Sequence, residues 1–374
     1  MRLQHLSTVG FRNLRPAQLS LDADLVVLHG PNAQGKTNTL EAIWSLATLK
    51  SMRAARLREV VAWESSECTV AGRVESPHGP VTLKLAIEAS KRSVSMDDEP
   101  VRDLGTWFDV IRAICCTPQH SRIVTDEPAR RRAWLDRAAF TMKPSHLNVV
   151  RSYRRILAQK SAVLRSERPD RSVLEVLNEQ QAQAGADLVV RRRLALDVLA
   201  PHAKTVHAQL TDGSSALELK LRTVSPATQA PDIATALYDA LQASRDAELR
   251  RRRCLVGPQT DELLMTIDGR PARAFGSQGQ VRSVVLALKL AELMAARDLG
   301  LRPLFLLDDL SGELDAFRTT RLIATLAETA SQVWVTTTDP SLVGPARKDT
   351  ANAVVEVGVS EGNWTVQRGS ARVD

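Results

Sequence analysis

An eight-residue stretch, Gly30-Pro31-Asn32-Ala33-Gln34-Gly35-Lys36-Thr37, constrains this chain more than any other feature. It fits the phosphate-binding pattern G-x-x-x-x-G-K-[ST], and its surroundings give that pattern a mechanism. The run before it, Leu25-Val26-Val27-Leu28, is short, apolar and β-branched, so it reads as a buried strand. The run after it, Asn38 to Trp44, reads as the first turns of a helix. Backbone N–H groups at such a helix N-terminus point at a phosphate chain. Lys36 is placed to reach the outer phosphates, and Thr37 offers a hydroxyl to Mg²⁺.

The 374 residues suffice for roughly two to three domains and a sizeable core. Lys and Arg number 50 against 43 acids, a net charge of +7 that favours polyanionic partners. Much of the excess is clustered, at Arg130-Arg131-Arg132, Arg191-Arg192-Arg193 and Arg250-Arg251-Arg252-Arg253. Any one such cluster reads first as a solvated helix face, whereas the three together point to nucleic acid. The cysteines, Cys68, Cys115, Cys116 and Cys254, form no C-x-x-C pair, and the histidines show no metal-binding spacing. Adjacent Cys115 and Cys116 read as reduced core residues. The N-terminus lacks the apolar core of a signal peptide, and no stretch approaches about 18 uninterrupted apolar residues. The expectation is a soluble, cytoplasmic protein with no membrane contact.

Along the chain, residues 3–28 read as two strands around a turn at Arg12-Asn13-Leu14-Arg15-Pro16. Residues 66–98 read as a β-meander with a turn at Ser76-Pro77-His78-Gly79, and a short strand is expected at 111–117. From about 128 to 253 the texture turns helical. Tyr153, Ile156, Leu157, Lys160, Val163 and Leu164 follow helical spacing, with Lys160 as the one polar member. Leu174, Leu177, Ala184 and Leu188 mark a second helix, residues 232–253 a third, and Leu217 to Leu221 alternates like a strand. Apolar repeats are not sustained over several heptads, which favours a packed helical lobe over a coiled coil. After about 260 the α/β texture returns. Leu304 to Leu307 and Val333 to Val335 read as buried parallel strands, Val281 to Leu299 as a helix, and 354–366 as a terminal hairpin. The fold class is therefore α/β: a phosphate-loop domain, 1–127 and 254–374, interrupted by a mostly helical lobe at 128–253.

The strand Leu304–Leu307 ends in Asp308 and Asp309. An acid at the carboxyl end of a strand beside a phosphate loop can hold Mg²⁺, directly or through water, and Asp308 takes that role. Asp309 is placed to orient or deprotonate an attacking water. Lys36, Asp308 and Asp309 are thus the catalytic candidates, and Thr37 and Asp308 the metal ligands. Ser277-Gln278-Gly279-Gln280 opens a long amphipathic helix and forms a second anion site. Nucleotide-binding candidates are Gly30, Pro31, Asn32, Ala33, Gln34, Gly35, Lys36, Thr37 and Asn38, with Ser277, Gln278, Gly279 and Gln280. Arg12 and Arg53 are further candidates for the base or the phosphates.

The order of phosphate loop, S-Q-G-Q, double acid and Glu313-Leu314-Asp315 resembles the ABC-type ATPase heads of SMC-like DNA-repair proteins, most closely the RecF family. The resemblance runs the whole length. It includes Gly10-Phe11-Arg12-Asn13-Leu14, Leu40-Glu41-Ala42, Lys50-Ser51-Met52-Arg53 and Glu127 to Arg132 with Leu135-Asp136. It continues through Gly257-Pro258, Asp261-Glu262-Leu263, Leu288 to Leu293 and Thr336-Thr337-Thr338. The chain departs from the family pattern at Ala33, where a glycine is usual, and at Cys116 to His120, where Gln119 becomes the Q-loop candidate. It departs again at Pro258-Gln259-Thr260, and at Gly312, where the D-loop usually has serine.

The resemblance implies an ABC-type head, ATP and Mg²⁺ as cofactors, and a slow, DNA-stimulated ATPase. It implies an ATP-dependent homodimer in which Ser277 to Gln280 of one subunit close on nucleotide held by the other. It also implies binding to double-stranded and single-stranded DNA near gaps and junctions, and loading of RecA together with RecR and RecO. A rival class, the ATPase subunit of a membrane transporter, shares the three nucleotide motifs, but the length, the interposed lobe and the basic clusters speak against it.

Overall fold

A computed structural model describes residues 1–76, 79–88, 91–310, 322–323, 325–326, 328–343, 354–368 and 371–373. The chain forms two compact units, Met1–Gln119 with Glu292–Asp374, and His120–Ala291. The first begins with β1 (Arg2–Val9), β2 (Ala17–Leu21), β3 (Leu25–His29) and α1 (Lys36–Thr48). It continues with β4 (Glu67–Ser76), β5 (Gly79–Glu88), β6 (Lys91–Met96), β7 (Glu99–Pro100), α2 (Leu104–Val110) and β8 (Ala113–Cys116). The second holds α3 (Arg122–Thr125), α4 (Pro128–Met142), α5 (His146–Arg165), α6 (Arg171–Leu210), β9 (Leu217–Arg222) and α7 (Ala230–Arg251). It ends with β10 (Glu262–Ile267), β11 (Arg270–Pro271) and α8 (Ala272–Phe275). α9 (Gln278–Asp298) begins in the second unit and ends in the first, which continues with β12 (Leu304–Leu307), β13 (Gln332–Thr337), β14 (Val354–Ser360), β15 (Asn363–Arg368) and β16 (Ala371–Val373).

The first unit contains two sheets. One has the order β16-β2-β1-β4-β5-β6-β7 and is antiparallel throughout. The other has the order β15-β14-β3-β13-β12-β8 and is parallel from β14 to β8. Leu25 to Leu28 of β3 are all buried, with β13 and β14 hydrogen-bonded on either side. A parallel strand covered on both faces reads as an unbroken apolar run, which is how this one reads. The antiparallel sheet alternates instead: in β4, Cys68, Val70, Gly72, Val74 and Ser76 point inward between more exposed neighbours.

The two-strand expectation for 3–28 is corrected to three strands. β1 and β2 pair around the expected turn, but the chain then leaves that sheet and β3 enters the parallel one. The break falls at Asp22-Ala23-Asp24, where both acids pair with Arg2. The meander, the strand at 113–116, the parallel pair β12/β13 and the β14/β15 hairpin lie where the residue patterns place them. Pro77-His78 of the meander turn and the stretch Gly312 to Asp315 lie outside the described residues.

In the second unit, Ala182, Ala186 and Val189 of α6 pack on Ile233, Leu237 and Leu241 of α7. Val150 and Tyr153 of α5 pack on Leu188 of α6. Lys160, the polar member of the α5 stripe, is only 1% exposed. Its ammonium meets Glu248 at 2.7 Å and donates to Gln181 at 3.0 Å, so the charge that interrupts the stripe is compensated inside the core.

Two of the three arginine clusters each send one member into the core, while Arg130 stays exposed. Arg192 is buried, donates twice to Asp136 at 2.8 and 2.9 Å, and reaches Asp261 at 3.0 Å. Arg131 is buried on Glu262 at 2.7 Å, and Arg132 donates to the Asp261 carbonyl at 2.7 Å. Arg193 donates to the carbonyls of Ser225 and Ala227. Arg250 to Arg253 stay exposed. The solvated-face reading therefore fits that last run and the exposed Arg130, while Arg131 and Arg192 are held by acids of α4 and the start of β10 and Arg193 by loop carbonyls.

Candidate nucleotide site

Two glycines shape the phosphate loop. Gly35 caps α1 with φ +116°, and a Cβ on Gly30 would lie 2.4 Å from the Val359 carbonyl. Both positions require the missing side chain. Ala33, between them, also has a positive φ of +64°, a conformation that usually calls for glycine. The tip of the β14/β15 hairpin braces the loop from outside. Glu361 N–H donates to Gln34 Oε1 at 2.7 Å and Gly362 N–H to the Gln34 carbonyl at 2.9 Å. Trp364 Nε1 donates to Thr39 Oγ1 at 2.9 Å, inside the core.

The loop opens onto a cavity of about 470 Å³ lined by Asn32, Ala33, Gly35 to Asn38, Arg53, Pro118, Asp308, Asp309 and Thr336 to Thr338. Sequence-predicted residues from three elements thus meet at one place. Thr37 Oγ1 donates to Asp308 Oδ1 at 2.7 Å, and Thr336 Oγ1 donates to the same oxygen at 2.8 Å. Burial pushes the Asp308 carboxyl up. The two hydroxyls oppose that rise, while the charge of Asp309 reinforces it. Asp309 has φ +61°, and its N–H donates to Thr336 Oγ1 at 2.8 Å. A non-glycine residue held there at the end of a strand is strained where the chemistry is expected. Lys36 Nζ donates to the carbonyls of Gly30 and Pro31 at 2.6 and 2.7 Å. Burial lowers the Lys36 ammonium, and the charges of Asp309 and Asp308 hold against that.

Glu41 lies beside this cavity's Arg53, a position that its place in the motifs alone does not single out. It is fully buried on α1. Arg12 forks onto it with two bonds of 3.0 Å, Ser51 donates at 2.6 Å and Arg53 at 2.7 Å. Burial alone would raise its carboxyl; the donors, Arg12 first, hold it at about 2. Arg53 also donates to Asn38 and lines the cavity, whereas Arg12 is held on Glu41 and the Glu59 carbonyl and does not line it. The signal was present: an acid between Leu40 and Ala42, within an apolar helix, must find cations or neutralise. Thr336 likewise stands in the sequence only as part of the run Thr336-Thr337-Thr338, and its bond to Asp308 joins β13 to the end of β12.

Gln119 is exposed in a 3₁₀ turn whose neighbour Pro118 lines the cavity. Ser277 to Gly279 are exposed in the second unit, and Gln280 is half-buried. Ser277 Oγ accepts from Gln280 N–H at 3.2 Å, and Gln280 Oε1 accepts from Ser277 N–H at 2.9 Å. This reciprocal capping box fixes the loop and starts α9.

Among solved structures, the recombination mediator protein RecF with ATP matches with a TM-score of 0.88 at 24% identity, over 98% of this chain and 97% of that one. An Smc head domain derived from Pyrococcus furiosus matches with a TM-score of 0.56 at 13% identity, over 99% and 96%. The fold is therefore that of an ABC-type, SMC-like ATPase head. No family model matches the chain. It is 39% identical over 370 residues to the DNA replication and repair protein RecF of Anaeromyxobacter sp. (strain Fw109-5), covering 96% of this chain and 98% of that one. It is 39% identical over 363 residues to the protein of the same name from Myxococcus xanthus, covering 94% of each. The chain belongs to the RecF family of DNA replication and repair proteins.

Proposed function

We propose that the chain is an ATP-dependent, DNA-binding repair protein that hydrolyses ATP slowly and faster on DNA. The observation that carries the reading is the meeting of Lys36, Thr37, Asp308 and Asp309 around one cavity at the end of the parallel sheet. Lys36 would release its loop carbonyls to take the outer phosphates, a charge-assisted exchange. Thr37 and Asp308 oxygens, 2.7 Å apart, suit a hard cation, and Mg²⁺ held there would neutralise phosphate oxygens. Asp309 would accept the proton of the attacking water. Glu41 would hold Arg53 at the cavity edge.

One chain carries half of a working site in this reading. The exposed Ser277 loop would meet the γ-phosphate on the opposite subunit, so ATP would close a homodimer and hydrolysis would release it. The division into a head, 1–127 and 254–374, and a helical lobe, 128–253, belongs to the same proposal. So does the cellular role in the cytoplasm: binding gapped DNA near single-strand/double-strand junctions and helping RecO and RecR to load RecA. It is supported by the family name and by the RecFOR pathway to which the solved RecF–ATP structure is assigned. Among the described residues, no helix is long and apolar enough to cross a membrane.

Gel filtration with ATP, ADP or no nucleotide, each with and without gapped DNA, tests the reading. A dimer should form with ATP. Ser277→Arg should still bind nucleotide as a monomer but lose dimerisation and turnover. Intact dimerisation with lost monomer affinity would place Ser277 in its own subunit's pocket and end the shared-site reading.

A further inference from the structure

We propose that the phosphate backbone of DNA runs along the exposed face of α5 toward the arginine run that ends α7, an inference that rests on the DNA-binding reading above. α5 has 20 residues and not one acid. Its buried stripe is Val150, Tyr153, Ile156, Lys160 and Leu164. On the other side Arg151, Arg154, Arg155 and Arg165 are exposed. None of these four is ion-paired among the described residues; Arg165 only touches the Ser161 carbonyl of its own helix. From Arg151 to Arg165 the helix rises about 21 Å, the axial length of about six phosphates on one strand of a duplex.

Both flanks of this crest extend the same chemistry. On one side lies Cys254, its Sγ 3.4 Å from Ser161 Oγ and 4.0 Å from the Leu157 carbonyl. That contact brings the exposed run Arg250 to Arg253 alongside the second half of α5. On the other side Ser152, Arg155 and Gln159 face Gln180, Gln183 and Asp187 of α6 across a cleft of about 560 Å³. Amides and hydroxyls there can donate to phosphate oxygens, and Asp187 is the one acid among the lining residues. In the other two clusters the central arginines, Arg131 and Arg192, cannot serve in this way, since each is buried on an acid. A helix crest of guanidiniums reads charge and spacing only. Binding through it is therefore independent of sequence and steep in salt.

The test uses the full chain carrying Arg151→Ala, Arg154→Ala and Arg155→Ala together, with binding to fluorescent duplex and gapped DNA measured across a salt series. Loss of three phosphate contacts should flatten the slope of log affinity against log salt by about 2.7, and weaken binding on the order of a hundredfold near 0.1 M salt. Nucleotide affinity should not change. A control chain with Arg15→Ala, Arg58→Ala and Arg102→Ala, three exposed arginines of the first unit, should keep the wild-type slope. An unchanged slope in the α5 variant, or an equal fall in the control, overturns the α5 path while leaving the DNA-binding reading in place. A wild-type chain that binds neither DNA overturns both.

Discussion

Two carboxylates, one in each unit, are both tied to arginine, yet they sit differently with it. Glu41 is fully buried, but its guanidiniums are not: Arg12 and Arg53 keep side-chain exposures of 24% and 34%. Asp136 is also largely buried, and its partner Arg192 is only 5% exposed. His146 completes that second cluster at 3.2 Å. Burial would raise the Asp136 carboxyl, but the bonds from Arg192 and His146 hold it well below the carboxylate range. Where the cation is buried with the acid, the pair ties elements together: Arg192 alone joins α4, α6 and the turn before β10. Where the acid is buried and the cations reach the surface, the acid aims them at something else. Burial of both partners separates a fastening from a mount.

The largest effect should come from breaking the fastening. Asp136→Ala leaves Arg192 buried without its main counter-charge and should cost about 3–5 kcal/mol. Glu41→Ala frees two guanidiniums that can turn to water, and should cost clearly less while weakening nucleotide binding. Denaturant unfolding of the two variants, with nucleotide titrations alongside, decides the matter. Equal stability losses with equal nucleotide affinities would erase the distinction.

Next in size is the division of labour between the adjacent acids. Asp308→Asn removes the charge that Thr37 and Thr336 both address, and should weaken Mg²⁺-dependent nucleotide binding. Asp309→Asn should leave binding near wild type and slow turnover about 100-fold or more, since it acts on the attacking water alone. Single-turnover hydrolysis with separate binding isotherms distinguishes them. A shared phenotype would mean that the strained backbone at Asp309 serves only the fold.

A smaller effect follows pH. The Glu41 carboxyl is lowered from 4.5 to about 2 on folding, so its charged form stabilises the native state. That contribution is complete above the unfolded value and fades as pH falls from about 4.5 through about 2. The stability gap between wild type and Glu41→Gln should therefore close across that window. A gap that stays constant down to pH 2 would mean that the Arg12 fork does not depend on the charge.

The mount and the fastening differ in how far the residues alone disclosed them. The phosphate loop, the acid pair and their strands were legible because each is local: a pattern of eight, an apolar run, two acids at its end. The lobe helices were legible from periodicity, but Lys160 read there only as the polar member of its stripe, and its partner Glu248 lies 88 positions away. The fate of the arginine clusters was not legible. Arg191, Arg192 and Arg193 are adjacent, yet one is buried on Asp136 and its neighbours bond Ser145 and two carbonyls near 226. Partners so distant in sequence are supplied by tertiary packing. Acid-free α5 had no cluster to draw the eye, because its arginines are spaced for a helix face.

The smallest effect concerns Ala33. If the first unit gives up stability to hold groups in place, some of that strain should be recoverable without loss of the site. Ala33 sits at φ +64°, where a Cβ costs about 1–2 kcal/mol. Glycine removes that cost but adds freedom to the unfolded chain, which returns about 0.4–1 kcal/mol. Ala33→Gly should therefore be stabilising by roughly 0.5 kcal/mol, with the loop still braced by Gln34 on the hairpin tip. Ala33→Val should go the other way by about 1–2 kcal/mol, because a β-branched residue fits the left-handed region worst. Unfolding midpoints of the three chains, measured with and without nucleotide, should rank glycine, alanine, valine in both conditions. A valine variant as stable as alanine would show that the left-handed turn is not enforced. The hairpin brace would then position the loop without strain, and the first unit would resemble the second more than its exposed guanidiniums suggest.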